Sequence, residues 1–223
     1  MDKINPQISQ KFLEQIKNQI PEIIDIEGVK IKTCRGVFPP RSNFSHTSEK
    51  LHTIFGDLTG LNILDMGTGT GIQAIQAIKD GAKSVVVVDI NPAAISCAEE
   101  NFKLNGVSDK ITAFESDLFI KIENGNKFDI IIANLPITDF PLNGLVESAL
   151  YDPEYKIHKR FLKEATSYLQ NSGAIIMTHI DFKGNEDFKE FEEMLSFYNF
   201  KPERYIEIED MGYRWRMYRI IRK

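Results

Sequence analysis

The chain has 223 residues and a formal net charge of −5 at pH 7, a length typical of one domain with at most a small appendage. Its apolar share of 42% and charged share of 26% are ordinary for a globular protein, which excludes a disordered chain, a collagen-like repeat and a short disulfide scaffold. No segment approaches the ~20 consecutive apolar residues of a membrane span, and the polar N-terminus predicts no export signal. The negative charge argues against a general nucleic-acid binder.

The sequence of the N-terminal quarter of the chain predicts a small cap built of helices and a strand. Its predicted elements are, in order, a helix that Asn5-Pro6 opens and Pro21 closes, a half-exposed strand over residues 29–33, a turn-rich loop over 36–43 and a helix over 47–55. The first helix is indicated by apolar residues at helical spacing, and the strand by alternation of apolar and lysine residues. We therefore predict a cap over residues 1–58 and a main domain over residues 59–223.

From residue 61 onward, predicted strands and helices alternate. Strands are predicted over residues 61–66, 85–88, 111–114, 128–133 and 174–178, helices begin near residues 72, 92, 154 and 187, and two β-like runs over 204–208 and 213–221 end the chain. The apolar run over residues 85–88 is typical of a strand that is buried on both faces of a parallel sheet. The alternation predicts an open α/β sheet with helices on both of its faces.

The most informative motif is a glycine-rich turn after the first of these strands, with Gly67, Gly69 and Gly71 at every second position. Such glycines let the backbone approach a ligand closely, and the turn lies at the carboxyl ends of the strands, where open α/β sheets bind ligands. Asp89 ends the next strand and can accept hydrogen bonds from ribose hydroxyls. A dinucleotide site would need a glycine at the position of Ile72, so a nicotinamide oxidoreductase is the less favoured enzyme class.

Four segments resemble, in family order and spacing, the class I S-adenosylmethionine-dependent methyltransferases. They are DMGTGTG at residues 65–71, VDINP at 88–92, ESDLF at 115–119 and FDIIIANLPI at 128–137. The resemblance covers roughly residues 60–180. It implies a doubly wound, seven-stranded, mostly parallel Rossmann-like sheet with an antiparallel C-terminal strand, and S-adenosylmethionine as the cofactor with S-adenosylhomocysteine as the product.

The resemblance also assigns roles to individual residues. The predicted cofactor-binding residues are Asp65, Gly67, Thr68, Gly69, Gly71, Asp89, Ile90, Asp117, Leu118 and Asn134. In this set Asp89 would hold the ribose, and Asp117 would accept a hydrogen bond from the adenine amine. The carboxylate of Asp65 suits the cationic part of such a cofactor. No metal site is predicted, because the histidines and cysteines lack the spacing of metal ligands.

The segment Asn134-Leu135-Pro136-Ile137 resembles the Asn-Pro-Pro-Tyr motif of enzymes that methylate amino and amide nitrogens. The resemblance implies that Asn134 and Pro136 are catalytic, with the asparagine side chain and the next backbone carbonyl accepting hydrogen bonds from the acceptor NH₂. The predicted acceptor-site residues are Leu135, Ile137, Phe38 and Arg41. Leu135 and Ile137 stand where the motif has a proline and an aromatic residue. The nearest subfamily is the release-factor glutamine methyltransferases and their small-domain relatives.

The methyl acceptor stays open at this point. A protein amide or amino nitrogen and a small molecule are the leading alternatives, followed by an adenine amino group of RNA or DNA and by a cofactor-binding protein without activity. The predicted partners are thus a protein or small-molecule acceptor, with nucleic acid less favoured and no membrane. The sequence does not give the oligomeric state.

Three further features complete the sequence-based expectations. The loop over residues 138–153 is a candidate lid over the site. Cys34 and Cys97 lie far apart in sequence, and we expect them to be reduced thiols in a cytoplasmic protein. The alternating pattern of residues 214–223 predicts a strand with one buried face and with arginines on the other.

Overall fold

The computed structural model describes residues 13–41, 46–137, 150–182, 184–210 and 212–223. A two-stranded hairpin of β1 (Ile23–Ile26) and β2 (Val29–Lys32) is followed by a single helical turn, α1 (Thr47–Lys50). The main sheet contains β3 (Asn62–Met66), β4 (Ser84–Asp89), β5 (Ile111–Glu115), β6 (Phe128–Ala133), β7 (Leu169–Asp181), β8 (Phe200–Asp210) and β9 (Tyr213–Arg222). The longer helices are α2 (Ile72–Lys79), α3 (Pro92–Leu104), α4 (Lys156–Tyr168) and α5 (Glu186–Phe197).

The seven strands of the main sheet follow the order β5-β4-β3-β6-β7-β9-β8. The pairs from β5 to β7 are parallel, whereas β9 is antiparallel to both β7 and β8. The predicted doubly wound, mostly parallel sheet with antiparallel C-terminal strands is thereby confirmed. In the part of the chain that the structure describes, no helix is long and apolar enough to cross a membrane.

Alternate residues of the central strands face two separate apolar cores. Ile63 of β3 is buried in a core that α2, α3 and the hairpin cover, while its neighbour Leu64 is buried in a core that α4 and α5 cover. This alternation follows from the two-residue period of a β-strand. A sheet covered on both faces binds ligands at the carboxyl ends of its parallel strands.

The connections after β3 and β4 have clear local causes. Asn91 caps α3, because its side-chain oxygen accepts a hydrogen bond of 3.0 Å from the Ala93 N–H, and Pro92 occupies the first helical position. Gly71 precedes α2 with a φ of 82°. A Cβ atom there would lie 2.6 Å from Cε1 of Phe102, so the close packing of α2 against α3 requires a glycine.

The N-terminal hairpin packs against the helical layer of the main domain. Val29 and Ile31 are fully buried in the core beneath α2 and α3. The Asn101 side chain of α3 bonds both the N–H and the carbonyl of Lys32, at 2.7 and 3.0 Å. Strand β1 was not predicted, since its four residues, three of them isoleucine, are too short a segment to show a period. The division at residues 58/59 stays a prediction.

The expectation of two reduced thiols is wrong: Cys34 and Cys97 form a disulfide. Residue 34 follows β2, and the hairpin seats this segment on α3, so that the two Cα atoms lie 6.1 Å apart despite a sequence separation of 63 residues. Separation along the chain says nothing about distance in the fold, and a cysteine count alone could not pair them.

The expected strand with one buried face and arginines on the other is wrong for β9, because helices cover both faces of the sheet. Trp215 and Met217 are buried on one face of β9, and Tyr218 and Ile220 are buried on the other. Arg216 pairs with Glu207 and Glu192, at 2.8 and 3.1 Å, and Arg219 pairs with Glu203 at 2.8 Å. Strand β7 is longer than predicted because it begins at Leu169, directly after α4.

Candidate active site

A cleft runs across the carboxyl ends of the parallel strands. In the order of the sheet, Asp117 follows β5, Asp89 ends β4, Gly67 and Gly69 follow β3, and Asn134 follows β6, and all five line the cleft. The loop after β2 and the helical turn α1 close the other side. The predicted lid residues 138–149 lie outside the described residues.

The glycine turn has the backbone of a ligand cradle. Gly67 and Gly69 have φ angles of 74° and 56°, which a residue with a side chain rarely adopts. A Cβ atom on Gly67 would meet nothing within 4 Å, so this position opens directly into the cleft. Gly71, predicted to bind the cofactor, instead packs against Phe102 and Ala98.

The Asp89 carboxylate is held by the backbone on both sides. Its Oδ2 accepts from the Gly69 N–H at 3.0 Å, and its Oδ1 accepts from the Asn91 N–H at 2.9 Å. Burial raises the pKa of Asp89, and these backbone hydrogen bonds oppose that shift. The Ile90 N–H is a third backbone donor to this carboxylate. Because a carboxylate has about four acceptor positions, Asp89 can still accept from a hydroxyl of a ligand.

The end of the cleft beyond β5 combines apolar and charged groups. Leu118 has a φ of 48°, an unusual backbone for a residue with a side chain, and it lines the cleft together with Ile90 and Asp117. Arg160 of α4 donates to both oxygens of Asp117, at 3.1 and 3.2 Å. Sequence reasoning missed Arg160, since nothing in its helix points to an interaction with residue 117.

Asp65, predicted to face a cationic ligand, is not brought to the cleft. It is 1% exposed and lies behind the glycine turn, where the Thr68 hydroxyl donates to its Oδ2 at 2.6 Å. The Ala74 N–H in the first turn of α2 also donates to it. Burial raises the pKa of Asp65 from 3.8 to about 7, and the nearby Asp89 charge adds to this, while the two hydrogen bonds oppose it.

This raised pKa predicts a pH-dependent stability. In the unfolded chain Asp65 titrates near 3.8, whereas in the folded protein it titrates near 7. Between these values the folded state carries the extra proton, so the free energy of unfolding falls as the pH rises from about 4 to about 7. At about 1.4 kcal/mol per pH unit, the full effect is about 4 kcal/mol.

The substitution Asp65→Asn tests this expectation, because the amide still accepts from Thr68 but does not titrate. In denaturant unfolding, we expect the stability of Asp65→Asn relative to the wild type to increase from pH 4 to pH 8. Asp109→Asn, at an exposed position, is the control and should follow the wild type. Parallel pH curves for Asp65→Asn and the wild type would contradict a titrating Asp65.

Asn134 has both ends of its side-chain amide held. Its Oδ1 accepts from the Thr178 hydroxyl at 2.6 Å, and its Nδ2 donates to the Ser48 hydroxyl at 3.0 Å. Thr178 belongs to β7 and Ser48 to α1. Asn134 therefore links the main sheet to the N-terminal cap. One acceptor position of Oδ1 and one N–H of Nδ2 are left for other partners.

The end of the cleft beyond Asn134 is apolar. Three of the four acceptor-site candidates, Leu135, Ile137 and Phe38, line it together with the catalytic candidate Pro136, but Arg41 does not. The Arg41 guanidinium is exposed and pairs with Glu49, at 2.5 and 3.1 Å. The sequence did not identify two further wall residues, Leu150 and Trp215.

Aromatic rings therefore reach this end of the cleft even though Ile137 replaces the aromatic residue of the motif. Phe38 comes from the loop after the hairpin, and Trp215 comes from β9, two strands away from Asn134 in the sheet. Among the described residues that line the cleft, the charged ones are Asp89 and Asp117, both at the opposite end. The two ends thus differ in chemistry, one suited to a nucleoside and the other to a neutral group.

Comparison with known proteins gives a consistent family. Residues 49–151 match the family model of ribosomal protein L11 methyltransferases. The chain is 35% identical over 171 residues to a predicted protein N5-glutamine methyltransferase of Methanocaldococcus jannaschii, an alignment that covers 74% of this chain and 83% of that protein. It is 47% identical over 76 residues to the ribosomal protein L11 methyltransferase of Caldicellulosiruptor bescii, which covers 34% of this chain but only 24% of the relative.

Solved structures agree with this result. The ribosomal protein L11 methylase of Lactobacillus delbrueckii subsp. bulgaricus superposes with a TM-score of 0.63 at 28% identity, over 80% of both chains. A protein described as a predicted methyltransferase and solved with S-adenosylhomocysteine shares the fold, with a TM-score of 0.66 at 15% identity, over 90% of this chain and 55% of that one. The transfer-RNA m1G37 methyltransferase of M. jannaschii shares the fold, with a TM-score of 0.68 at 19% identity, over 92% of this chain and 55% of that one.

Proposed function

The chain belongs to the class I S-adenosylmethionine-dependent methyltransferases, and on this premise we propose that it methylates an amide or amino nitrogen of a protein, with a glutamine side chain as the favoured acceptor. The observation that carries the proposal is the position of Asn134, whose held amide faces the neutral, apolar end of the cleft. A carboxamide is itself neutral, so it enters such a site without the cost of burying a charge. The relative in M. jannaschii, predicted to be a protein N5-glutamine methyltransferase, supports the same acceptor.

Within this proposal the cofactor lies along the carboxyl ends of β3, β4 and β5. Asp89 accepts a hydrogen bond from a ribose hydroxyl, and the backbone of Gly67 and Gly69 lies against the methionine part. Ile90 and Leu118 pack against the adenine ring, while Asp117 accepts from its amine. Arg160 then acts through Asp117, because it fixes the carboxylate that meets the adenine.

At the acceptor end, the residues of the chain orient a nitrogen and exclude water. When bound, S-adenosylmethionine would supply a methyl group on a cationic sulfur: the S–C bond breaks with its electron pair kept by sulfur, and the N–C bond forms from the nitrogen lone pair. The methylated nitrogen then gives its extra proton to solvent water as the products leave. The free acceptor position of Asn134 Oδ1 and the Leu135 carbonyl accept the N–H groups of the acceptor, which aims the nitrogen. Pro136 fixes the backbone beside them, and Phe38, Ile137 and Trp215 keep the site dry. Orientation and desolvation are the contributions that such a reaction needs.

Of the two alternative acceptors, the structure gives a reason against nucleic acid. An RNA or DNA acceptor needs basic side chains that bind its phosphates. In the arginine-rich strand β9, however, Arg216 and Arg219 form ion pairs with glutamates. A small-molecule acceptor is compatible with the same apolar end of the cleft.

The test uses methyl-labelled S-adenosylmethionine, the purified chain and a cell extract that is separated afterwards into protein, nucleic-acid and small-molecule fractions. We expect label in the protein fraction, above a blank without enzyme. Acid hydrolysis then separates the acceptors, because an N-methyl amide releases methylamine whereas a methylated amine stays on its amino acid. Methylamine identifies a side-chain amide such as that of glutamine. Label confined to small molecules or to nucleic acid would overturn the proposal and leave the cofactor chemistry in place.

A further inference from the structure

Behind Asn134 the structure holds a buried hydroxyl that no part of the proposed chemistry uses. Thr178 is 1% exposed and does not line the cleft, so it cannot touch cofactor or acceptor directly. Its hydroxyl donates to Asn134 Oδ1 at 2.6 Å, the shorter of the two hydrogen bonds that the structure gives the Asn134 side chain.

The opposite side of Asn134 is fixed by the cap. The Ser48 hydroxyl accepts from Asn134 Nδ2 at 3.0 Å. Ser48 is itself anchored, because its carbonyl accepts from the side chain of Gln73 in α2 at 2.7 Å, and Gln73 is 4% exposed. The chain of contacts therefore runs from β7 through Asn134 and α1 to the helix that follows the glycine turn.

From this arrangement we propose that Thr178 and Ser48 are positioning residues for the methyl transfer, a role that rests on the function proposed for Asn134. An asparagine amide at the end of a strand can rotate about its terminal side-chain bond, which has a broad torsional profile. Two hydroxyls on opposite sides stop this rotation. The second acceptor position of Oδ1 then points to one place in the cleft, where the N–H of the acceptor must lie.

The decisive variant is Thr178→Val, which has nearly the same shape but no hydroxyl. Because small misplacements of an orienting group cost about 10- to 100-fold, we expect kcat to fall by about that factor, with label incorporation into the protein fraction as the assay. The Kd for S-adenosylhomocysteine should stay within about twofold of the wild type, because Asp89 and the glycine turn are untouched. Thr178→Ser keeps the hydroxyl and should restore most of kcat. Thr112→Val, at an exposed position of β5, is the matched control and should behave as the wild type.

A double-substitution cycle separates positioning from a general structural role. In the Asn134→Ala background Thr178→Val should have no further effect on kcat, since there is no amide left to orient. A full additional loss in that background, or a Thr178→Ser variant as impaired as Thr178→Val, would overturn the positioning role. Ser48→Ala is a second variant for the same cycle, should Thr178→Val fail to fold, and it is expected to behave in the same way.

The outcome for Asn134→Ala distinguishes this inference from the proposed function. If Asn134→Ala loses activity while Thr178→Val and Ser48→Ala keep kcat within about twofold, only the positioning role is overturned. If Asn134→Ala keeps its kcat, the acceptor-orienting function of the site is overturned and the positioning role with it.

Discussion

Replacing Asn134 with alanine is expected to lower kcat about 100-fold or more while the affinity for S-adenosylmethionine changes less than about threefold. The side-chain oxygen of Asn134 is proposed to meet the acceptor nitrogen only in the reacting arrangement, so its loss affects the transition state more than cofactor binding. The measurement is the rate of label transfer into the acceptor fraction, together with a separate calorimetric titration of the cofactor.

The matched control for this substitution is Asn62→Ala, which removes an asparagine at the opposite, amino-terminal end of β3. Asn62 is only half-buried and lies far from the carboxyl ends of the strands. The kcat of the Asn62→Ala variant should therefore remain at the wild-type value. Equal losses of turnover and of cofactor affinity in Asn134→Ala would instead mark Asn134 as a cofactor ligand or a structural residue.

Replacing Asp89 with alanine is expected to weaken S-adenosylmethionine binding by about 1–3 kcal/mol, that is by about 5- to 150-fold in Kd. The variant loses the acceptor for a ribose hydroxyl and also frees the N–H groups of Gly69 and Asn91 that the carboxylate holds. Titration of S-adenosylhomocysteine by calorimetry measures the change without any need for an acceptor.

The pH dependence of binding is an independent check on Asp89. Burial raises its pKa, so protonation begins at a higher pH than for an exposed aspartate, and the protonated acid has lost acceptor capacity. Affinity for S-adenosylhomocysteine should therefore fall as the pH is lowered, and it should do so less in Asp89→Asn, which does not titrate. An unchanged Kd for Asp89→Ala would falsify the ribose-binding role.

The fold itself was predictable because its determinants are local. A run such as Val85–Val88 is buried on both faces, and this hydrophobicity is readable without knowing its neighbours. The glycine turn and the Asn91 cap of α3 are likewise short-range signals, because backbone conformation and capping involve residues only a few positions apart. Alternation of such strands with helices leaves few arrangements other than a parallel sheet.

The site residues at the carboxyl ends of β3, β4 and β5 could also largely be predicted from the sequence. Gly67, Gly69 and Asp89 were identified from their places at the ends of strands, and parallel strands bring those ends to one edge. Asp65 and Gly71 share the same motif but turn away from the cleft, towards α2 and α3. A motif gives the position of a residue along the chain and does not give the direction of its side chain.

Short-range features of the chain are thus enough to predict the α/β sheet, the family, and the end of the cleft that suits a nucleoside. The folded chain was needed to reveal the Cys34–Cys97 disulfide, the pairing of Arg160 with Asp117, and the environment of Asn134, which is built by Thr178 of β7 and Ser48 of the cap. All of these contacts span long stretches of the sequence. These contacts join residues that are 43 to 86 positions apart, and nothing in either partner's local sequence specifies the other.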